Sequence, residues 1–487
     1  MRLASICAVS ALALGFVHSH ALAQSSPPPT PQPTISEREE VRNTYIFKFN
    51  PRVPRAAMAG IAHRVVGEAG GTVRHVYTNV LGGFAATLPG AAVWNVAGAP
   101  EIISYERDQI FTIAAPPWCD DNPDHNACKD DDGGDDGDDD DGDSDDSDGE
   151  NGASDKPLDC LTKGTMPWGV EYVRNDTVPA TDSCGEGIHV YVLDTGIDLD
   201  HPNLTPVGKS VDCTKGCGSG GDDKNGHGTH VAGSIGARGN GNSDDVLGVS
   251  PAVHLHSVQV LKPGGTGSMS DIIDGIDYVA DQAINLDAPV VANMSLGGSG
   301  SKDGECSSSG FTGSGSLHHA MCDAAQEGVV FVVAAGNSGA DAESFVPAAY
   351  DDVAIAVSAT NSSNDWPSWS NYGNDPADWL PTEEEKSAPV AVAAPGVSIV
   401  STQIDGGTTS MSGTSMASPH VAGVAALLLQ ADTGITANYS AFLNIRDAML
   451  ALATKTKDNK TFANTSGHPH DERFACAVDN CPPTPTQ

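Results

Sequence analysis

The sequence predicts an α/β protein whose mostly parallel sheet carries helices on both faces, preceded by a small α+β domain. Three observations carry that expectation. Apolar strand-like runs alternate with helical patterns through the later part of the chain, an earlier stretch reads β-α-β-β-α-β, and a segment made almost wholly of Asp, Gly and Ser divides the two. At 487 residues the chain has room for one large core and one smaller one. Only 5% of residues are aromatic while Gly numbers 54, a balance that favours tight turns and close helix–sheet packing. The formal net charge of −39 argues against binding to nucleic acid or an anionic membrane, both of which need a basic face.

Residues 1–23 open with Arg2, run apolar from 3 to 17 and end in Ala21-Leu22-Ala23, the pattern of a secretory signal peptide. A membrane anchor is the competing reading, but the apolar core is shorter than the ~20 residues a spanning helix needs. Export of a soluble, secreted protein is therefore expected, and with it disulfides. Loss of Cys7 with the signal leaves an even set: Cys119, Cys128, Cys160, Cys184, Cys213, Cys217, Cys306, Cys322, Cys476 and Cys481. Cys213 with Cys217 and Cys306 with Cys322 are plausible local pairs. Zinc competes, yet no second Cys or His pair stands at finger spacing near Cys213 and Cys217.

Residues 24–42, rich in Ser and Pro, read as a disordered lead-in. Within 43–114 the pattern sharpens into a strand at 45–49, a helix at 56–69, strands at 72–77 and 83–88, a short helix at 91–96 and an extended stretch from 102 to 113. That order predicts a two-layer, ferredoxin-like module with an open sheet face. The acidic linker at 115–160, with Asp138-Asp139-Asp140-Asp141, repels itself and lacks apolar residues. Its alternating Asp and Gly also suit calcium, but no EF-hand spacing is present.

The main domain spans 161–455, with a tail at 456–487. Strands are expected at 188–193, 253–261, 289–296, 329–335 and 353–357, and helices at 270–284 and 316–328. Ligands of such sheets sit beyond the carboxyl ends of the strands, where the polar motifs fall. Asp194-Thr195-Gly196 ends the first strand; no second Asp-Thr-Gly exists to make an aspartic dyad. Asn225-Gly226-His227-Gly228-Thr229-His230 enters a small-residue helix. Its two histidines invite a metal reading, but Gly228 stands where a metalloprotease helix places glutamate, so an imidazole base fits better. Gly413-Thr414-Ser415-Met416-Ala417-Ser418-Pro419-His420 opens an Ala- and Leu-rich helix, placing Ser415 where free N–H groups and the helix dipole favour a developing negative charge.

These three motifs, in the order Asp, His, Ser that subtilisin shows, make residues 167–432 resemble the subtilisin family, in the style of its proteinase K-like members. The small domain resembles the family's inhibitor-like propeptide through Tyr45-Ile46-Phe47, Gly70-Gly71-Thr72-Val73, Gly83-Phe84-Ala85-Ala86 and Ile103-Ser104-Tyr105-Glu106-Arg107-Asp108. The resemblance implies a serine endopeptidase with Ser415 as nucleophile, His227 as base and Asp194 as its orienter. It implies an oxyanion hole from Asn337, in Ala335-Gly336-Asn337, and the Ser415 N–H. It also implies substrate strands along Gly265-Thr266-Gly267 and Ser295-Leu296-Gly297-Gly298, with Ala334, Ala335 and Gly336 lining a pocket roomy enough for a large apolar or aromatic residue.

No cofactor is implied for the chemistry. Structural calcium is implied without ligands, because the strand before Ala393-Ala394-Pro395-Gly396 reads Val390-Ala391-Val392 and lacks the carboxylate several relatives carry there. An insertion at 373–387, holding Glu383-Glu384-Glu385, reads as an exposed loop. The partners expected are protein and peptide substrates and the chain's own propeptide as intramolecular inhibitor, on a monomer. The rival expectation is a catalytically silent scaffold whose acidic segment binds calcium or mineral.

Overall fold

Buried, β-branched runs set side by side in parallel form the centre of the molecule, which is a computed structural model describing residues 33–113, 164–174, 184–239, 245–373, 390–453 and 473–475. The signal peptide, the acidic linker, the insertion with Glu383 to Glu385 and the cysteines Cys119, Cys128, Cys160, Cys476 and Cys481 lie outside those residues.

The chain begins with α1 (Ile35–Arg42), β1 (Thr44–Phe49), α2 (Arg55–Glu68), β2 (Thr72–Tyr77), β3 (Gly83–Thr87), α3 (Val93–Ala97) and β4 (Ile102–Arg107), then β5 (Ile110–Ile113). Strands β2-β3-β1-β4 form one antiparallel sheet. Along β1 the period of two is visible: Tyr45, Phe47 and Phe49 enter the core under α2 and α3, whereas Ile46 faces the larger domain. Both faces are therefore buried. The face expected to be open is where the two domains meet.

Two expectations need correction. The extended stretch 102–113 is not one strand: it turns at Asp108, and β5 leaves the small sheet to pair with the large domain. The lead-in at 24–42 contains α1, started by a capping box that the composition hid. Thr34 Oγ1 accepts from the Glu37 N–H at 3.2 Å while Glu37 Oε2 accepts from the Thr34 N–H at 2.8 Å.

In the large domain α4 (Trp168–Arg174) precedes β6 (His189–Asp194), β7 (Val211–Asp212), β8 (Gly218–Ser219), α5 (His227–Gly236), β9 (His254–Gln259), β10 (Thr266–Ser268) and α6 (Met269–Leu286). Then come β11 (Val290–Met294), β12 (Leu296–Ser299), β13 (Gly304–Ser307), β14 (Gly310–Gly313), α7 (Ser316–Gln326), β15 (Val329–Ala334), β16 (Phe345–Val346) and β17 (Ala354–Thr360). The series ends with β18 (Val392–Pro395), β19 (Ile399–Thr402), β20 (Thr408–Met411), α8 (Thr414–Ala431), α9 (Tyr439–Leu452) and β21 (Arg473–Phe474). The main sheet runs β21-β18-β17-β15-β11-β6-β9-β7-β8, parallel except between β7 and β8.

Fully buried strands such as Val329–Ala334 need cover on both faces, and the helices provide it. Within the tail, β21 adds an edge strand beside β18. Disulfides join Cys213 to Cys217 and Cys306 to Cys322, the two local pairs anticipated, and Cys184 is also disulfide-bonded.

Candidate active site

Parallel strands all point their carboxyl ends one way, so the residues that follow β6, β11 and β15 gather at one rim. Asp194 is the last residue of β6 and fully buried. His227 is the first residue of α5, entered through Gly226 at φ 108°. His227 Nδ1 lies 2.8 Å from Asp194 Oδ1, which also accepts the Thr195 N–H at 2.7 Å. The other ring nitrogen, Nε2, is buried and has no protein partner.

A residue outside the motif readings holds this pair in place. Asp223 Oδ1 accepts from Thr195 Oγ1 (3.0 Å) and from the N–H groups of Asn225 (2.9 Å) and Gly226 (3.1 Å); Oδ2 accepts from Thr229 N (3.0 Å) and Oγ1 (2.7 Å). One carboxylate thus staples the end of β6 to the first turn of α5. Burial pushes its pKa up even though the bonds from Thr229, Asn225 and Gly226 work against the shift. The signal was in the sequence, as Asp223 two residues before Asn225, but an acidic residue beside a Gly-rich loop has many readings. Gly228 has a packing reason as well: a Cβ there would sit 2.1 Å from the Gly196 carbonyl oxygen. His230, weighed as a metal partner of His227, turns away and places Nε2 3.0 Å from the Ile399 carbonyl. Burial holds its pKa down to about 3.

Ser415 is the second residue of α8 and fully buried. Its Oγ donates to the Ser295 carbonyl at 3.1 Å. Ser295 Oγ in turn donates to the Ser415 carbonyl at 3.0 Å. That carbonyl is available because Pro419, four residues on, has no N–H to give it. Helices α5 and α8 pack on each other, bringing His227 and Ser415 to the same rim.

Asn337 follows β15 by way of Ala335 and Gly336. Its Oδ1 accepts from Thr414 N and Thr414 Oγ1, both at 2.9 Å, which leaves Nδ2 as the free end of the amide; Nδ2 is buried and lacks a protein partner. Gly336 has φ 104°, and a Cβ there would meet Asn371 Nδ2 at 2.4 Å.

The two segments expected to bind substrate, Gly265-Thr266-Gly267 and Ser295-Leu296-Gly297-Gly298, are paired with a strand of the chain itself. Strand β5 lies antiparallel between β10 and β12, with Thr112 opposite both Thr266 and Gly297, Phe111 opposite Gly267 and Ile113 opposite Leu296. The Ile113 N–H donates to the Gly265 carbonyl at 2.9 Å. Phe111 rests against Gly298, at 3.4 Å from where a Cβ would stand. Ala334 and Ala335 are buried at the end of β15. Among the described residues the one grouping close enough to hold a metal is Cys213, Cys217 and Asp274, whose two sulfurs are already joined.

A buried carboxylate–imidazole pair, a serine at a helix start and a peptide strand laid along the cleft define a serine-type endopeptidase on a parallel α/β sheet. Comparison with known proteins agrees: residues 185–468 match the subtilase family, and the chain belongs to it. It is 32% identical to Proteinase R of Parengyodontium album over 82% of each chain. It is also 32% identical to the alkaline serine protease ver112 of Corniculantispora psalliotae, covering 89% of this chain and 91% of the relative. The extracellular serine proteinase of Thermus sp. (strain Rt41A) is 34% identical over 76% of this chain and 71% of its own. Among solved structures, the S41 psychrophilic protease aligns with a TM-score of 0.53 and 32% identity over 65% of this chain and 99% of that one.

Proposed function

We propose that the protein is exported as a self-inhibited precursor and matured by proteolysis into an endopeptidase that acts through Ser415, His227, Asp194 and Asn337. The observation that carries this is β5: a strand of the chain itself occupies both cleft edges in the manner of an extended peptide. In turnover, Ser415 Oγ leaves the Ser295 carbonyl and attacks the substrate carbonyl carbon, and its proton passes to His227 Nε2. Asp194 fixes the tautomer with the Nδ1 proton inward and stabilises the imidazolium. The tetrahedral oxygen is held by Asn337 Nδ2 and the Ser415 N–H, which has no helical acceptor so near the start of α8. The C–N bond then breaks, the His227 proton goes to the leaving amine, and water repeats the sequence on the acyl-enzyme.

Gly265, Thr266, Gly267, Ser295, Leu296, Gly297 and Gly298 bind substrate backbone. Ala334, Ala335 and Gly336 line the pocket ahead of the cleaved bond and admit a large apolar or aromatic side chain. Residues 43–114 act as the inhibitor, followed by the linker in which maturation cleavage falls. Calcium contributes to stability as is typical of the family, with no ligand assigned. Replacing Ser415 with Ala is expected to leave an unprocessed precursor without hydrolysis or phosphonate labelling. Normal maturation of the purified variant would overturn self-processing.

A further inference from the structure

Two buried imidazoles outside the site each face two carboxylates: His318, on α7 within the large domain, with Asp303 and Asp352, and His75, which does so across the two domains. His75, on β2, places Nε2 2.8 Å from Asp271 Oδ1 and Nδ1 3.0 Å from Asp274 Oδ2, both on α6 of the large domain. The second contact is at ion-pair distance but lacks hydrogen-bond alignment. Arg74 Nη2 stands 3.4 Å from the same oxygen of Asp271. The register of β2 against β3 shifts between Val73 and His75, a bulge that lets two consecutive side chains reach one carboxylate.

An ionised carboxylate only accepts, and a neutral imidazole has a single N–H. With both ring nitrogens against carboxylate oxygens, the neutral ring would turn a lone pair on one of them. The imidazolium suits both. We propose that His75, clasped between Asp271 and Asp274, is a pH-sensitive catch that holds the amino-terminal domain over the cleft and releases it in alkaline medium. The proposal rests on the reading of residues 43–114 as inhibitor.

Burial opposes the charge on His75, yet the bond to Asp271 and the adjacent charge of Asp274 prevail and its pKa is pushed up to about 9. The catch is therefore fully engaged below the free imidazole's value near 6.5 and is lost as pH rises through 9. The charged neighbours push the same way. Asp108 accepts from Ser270 N at 3.0 Å, Asp277 from the N–H groups of Asn79 (2.7 Å) and Val80 (2.8 Å), and Asp323 from Leu81 N at 2.8 Å. Burial raises all three carboxyls to about 6, so their ionisation weakens docking, but that change is over before His75 titrates. Tyr77, stacked on His75 at 6.2 Å, is pushed well above its ordinary value by burial and stays neutral. Behind β2, Arg64 pairs with Glu68 and Glu101; beside α6, Lys215 pairs with Asp212. Among the groups packed against His75, the change between about pH 6.5 and 9 belongs to His75.

The test uses the full-length protein transferred to buffers from about pH 6 to 10, timing the lag before peptide hydrolysis. The wild-type lag is expected to shorten at least tenfold, roughly, between pH 6.5 and 9. His75→Gln should show a short lag that is flat across that window, with kcat/KM unchanged once the lag ends. An identical pH dependence in the two proteins overturns the proposal. Should His75→Gln not fold, NMR titration of His75 in full-length Ser415→Ala decides: a midpoint above 8 supports the catch and one at or below 6.5 overturns it. Absence of any lag at any pH, in either protein, would instead sink the inhibitor reading, while the NMR midpoint still judges the clasp.

Discussion

Two buried imidazoles, His227 and His75, show how the number of carboxylates around a ring decides what the ring is for. His227 has one carboxylate, Asp194, at Nδ1 and an unpartnered Nε2. His75 has a carboxylate at each nitrogen. The first arrangement fixes a tautomer and leaves a lone pair free to take a proton; the second has no use for a neutral ring and makes a fixed cation. Their supports differ in the same sense. His227 begins a helix whose first turn Asp223 fastens by five hydrogen bonds to the end of a central strand. His75 sits on β2, an edge strand with a bulge, in a small sheet that docks through charged contacts. A base that must not move stands on rigid elements, and a catch that must let go stands on an edge.

The contrast breaks most sharply at Asp194. Asparagine keeps the shape but offers an N–H to Nδ1, forcing the ring proton onto Nε2, where the base is needed. In Asp194→Asn, kcat is expected to fall about 10⁴-fold with little loss of fold, as measured by peptide hydrolysis alongside thermal unfolding. Asn337→Ala should follow, at about 10² to 10³ in kcat, since subtilisin loses ~2.7 to 4 kcal/mol of transition-state stabilisation when its corresponding Asn is removed. KM should barely change. A parallel rise in KM would mean that Nδ2 binds ground-state substrate instead.

On the other side of the comparison, Asp271→Asn removes the carboxylate shared by His75 and Arg74. The pH at which the activation lag shortens should move down by about one unit, while Asp274→Asn, whose contact is poorly aligned, should move it less. Equal shifts, read from lag against pH, would show that summed charge matters and bond geometry does not.

The sequence carried the large domain well, because parallel strands buried on both faces read as unbroken apolar runs and the three motifs fall at their carboxyl ends. The three motif residues Asp194, His227 and Ser415 were legible for the same reason: each stands within two residues of a Gly in a short, distinctive context. What was hidden depends on distant partners. Phe111 and Ile113 look like the end of the small sheet, and only the third dimension shows them between Thr266 and Leu296. His75, in Thr72-Val73-Arg74-His75, reads as an ordinary strand residue, and Asp271 and Asp274 as the polar face of an amphipathic helix. Glu37 is hidden for a different cause. Thr34-Ile35-Ser36-Glu37 is a capping box, but Pro-rich flanks argued for disorder.

Glu37 offers the smallest test and separates the catch from the rest of the docking. Its Oε1 accepts from Thr266 Oγ1 on β10, a cleft-edge strand, while Oε2 closes the capping box. Burial alone would raise its pKa, but the bond from Thr266 and the two from Thr34 bring it below the ordinary glutamate value. The sign is opposite to that of His75: this contact is present at neutral and alkaline pH and is lost only in acid. Glu37→Gln keeps an acceptor and loses the charge, and on a half-exposed residue that is worth less than about 1 kcal/mol. The lag should therefore shorten by at most about fivefold, by the same ratio at pH 7 and pH 9. A ratio that vanished at pH 9 would mean that α1 leaves β10 together with the His75 catch, and that the two contacts belong to one cooperative release.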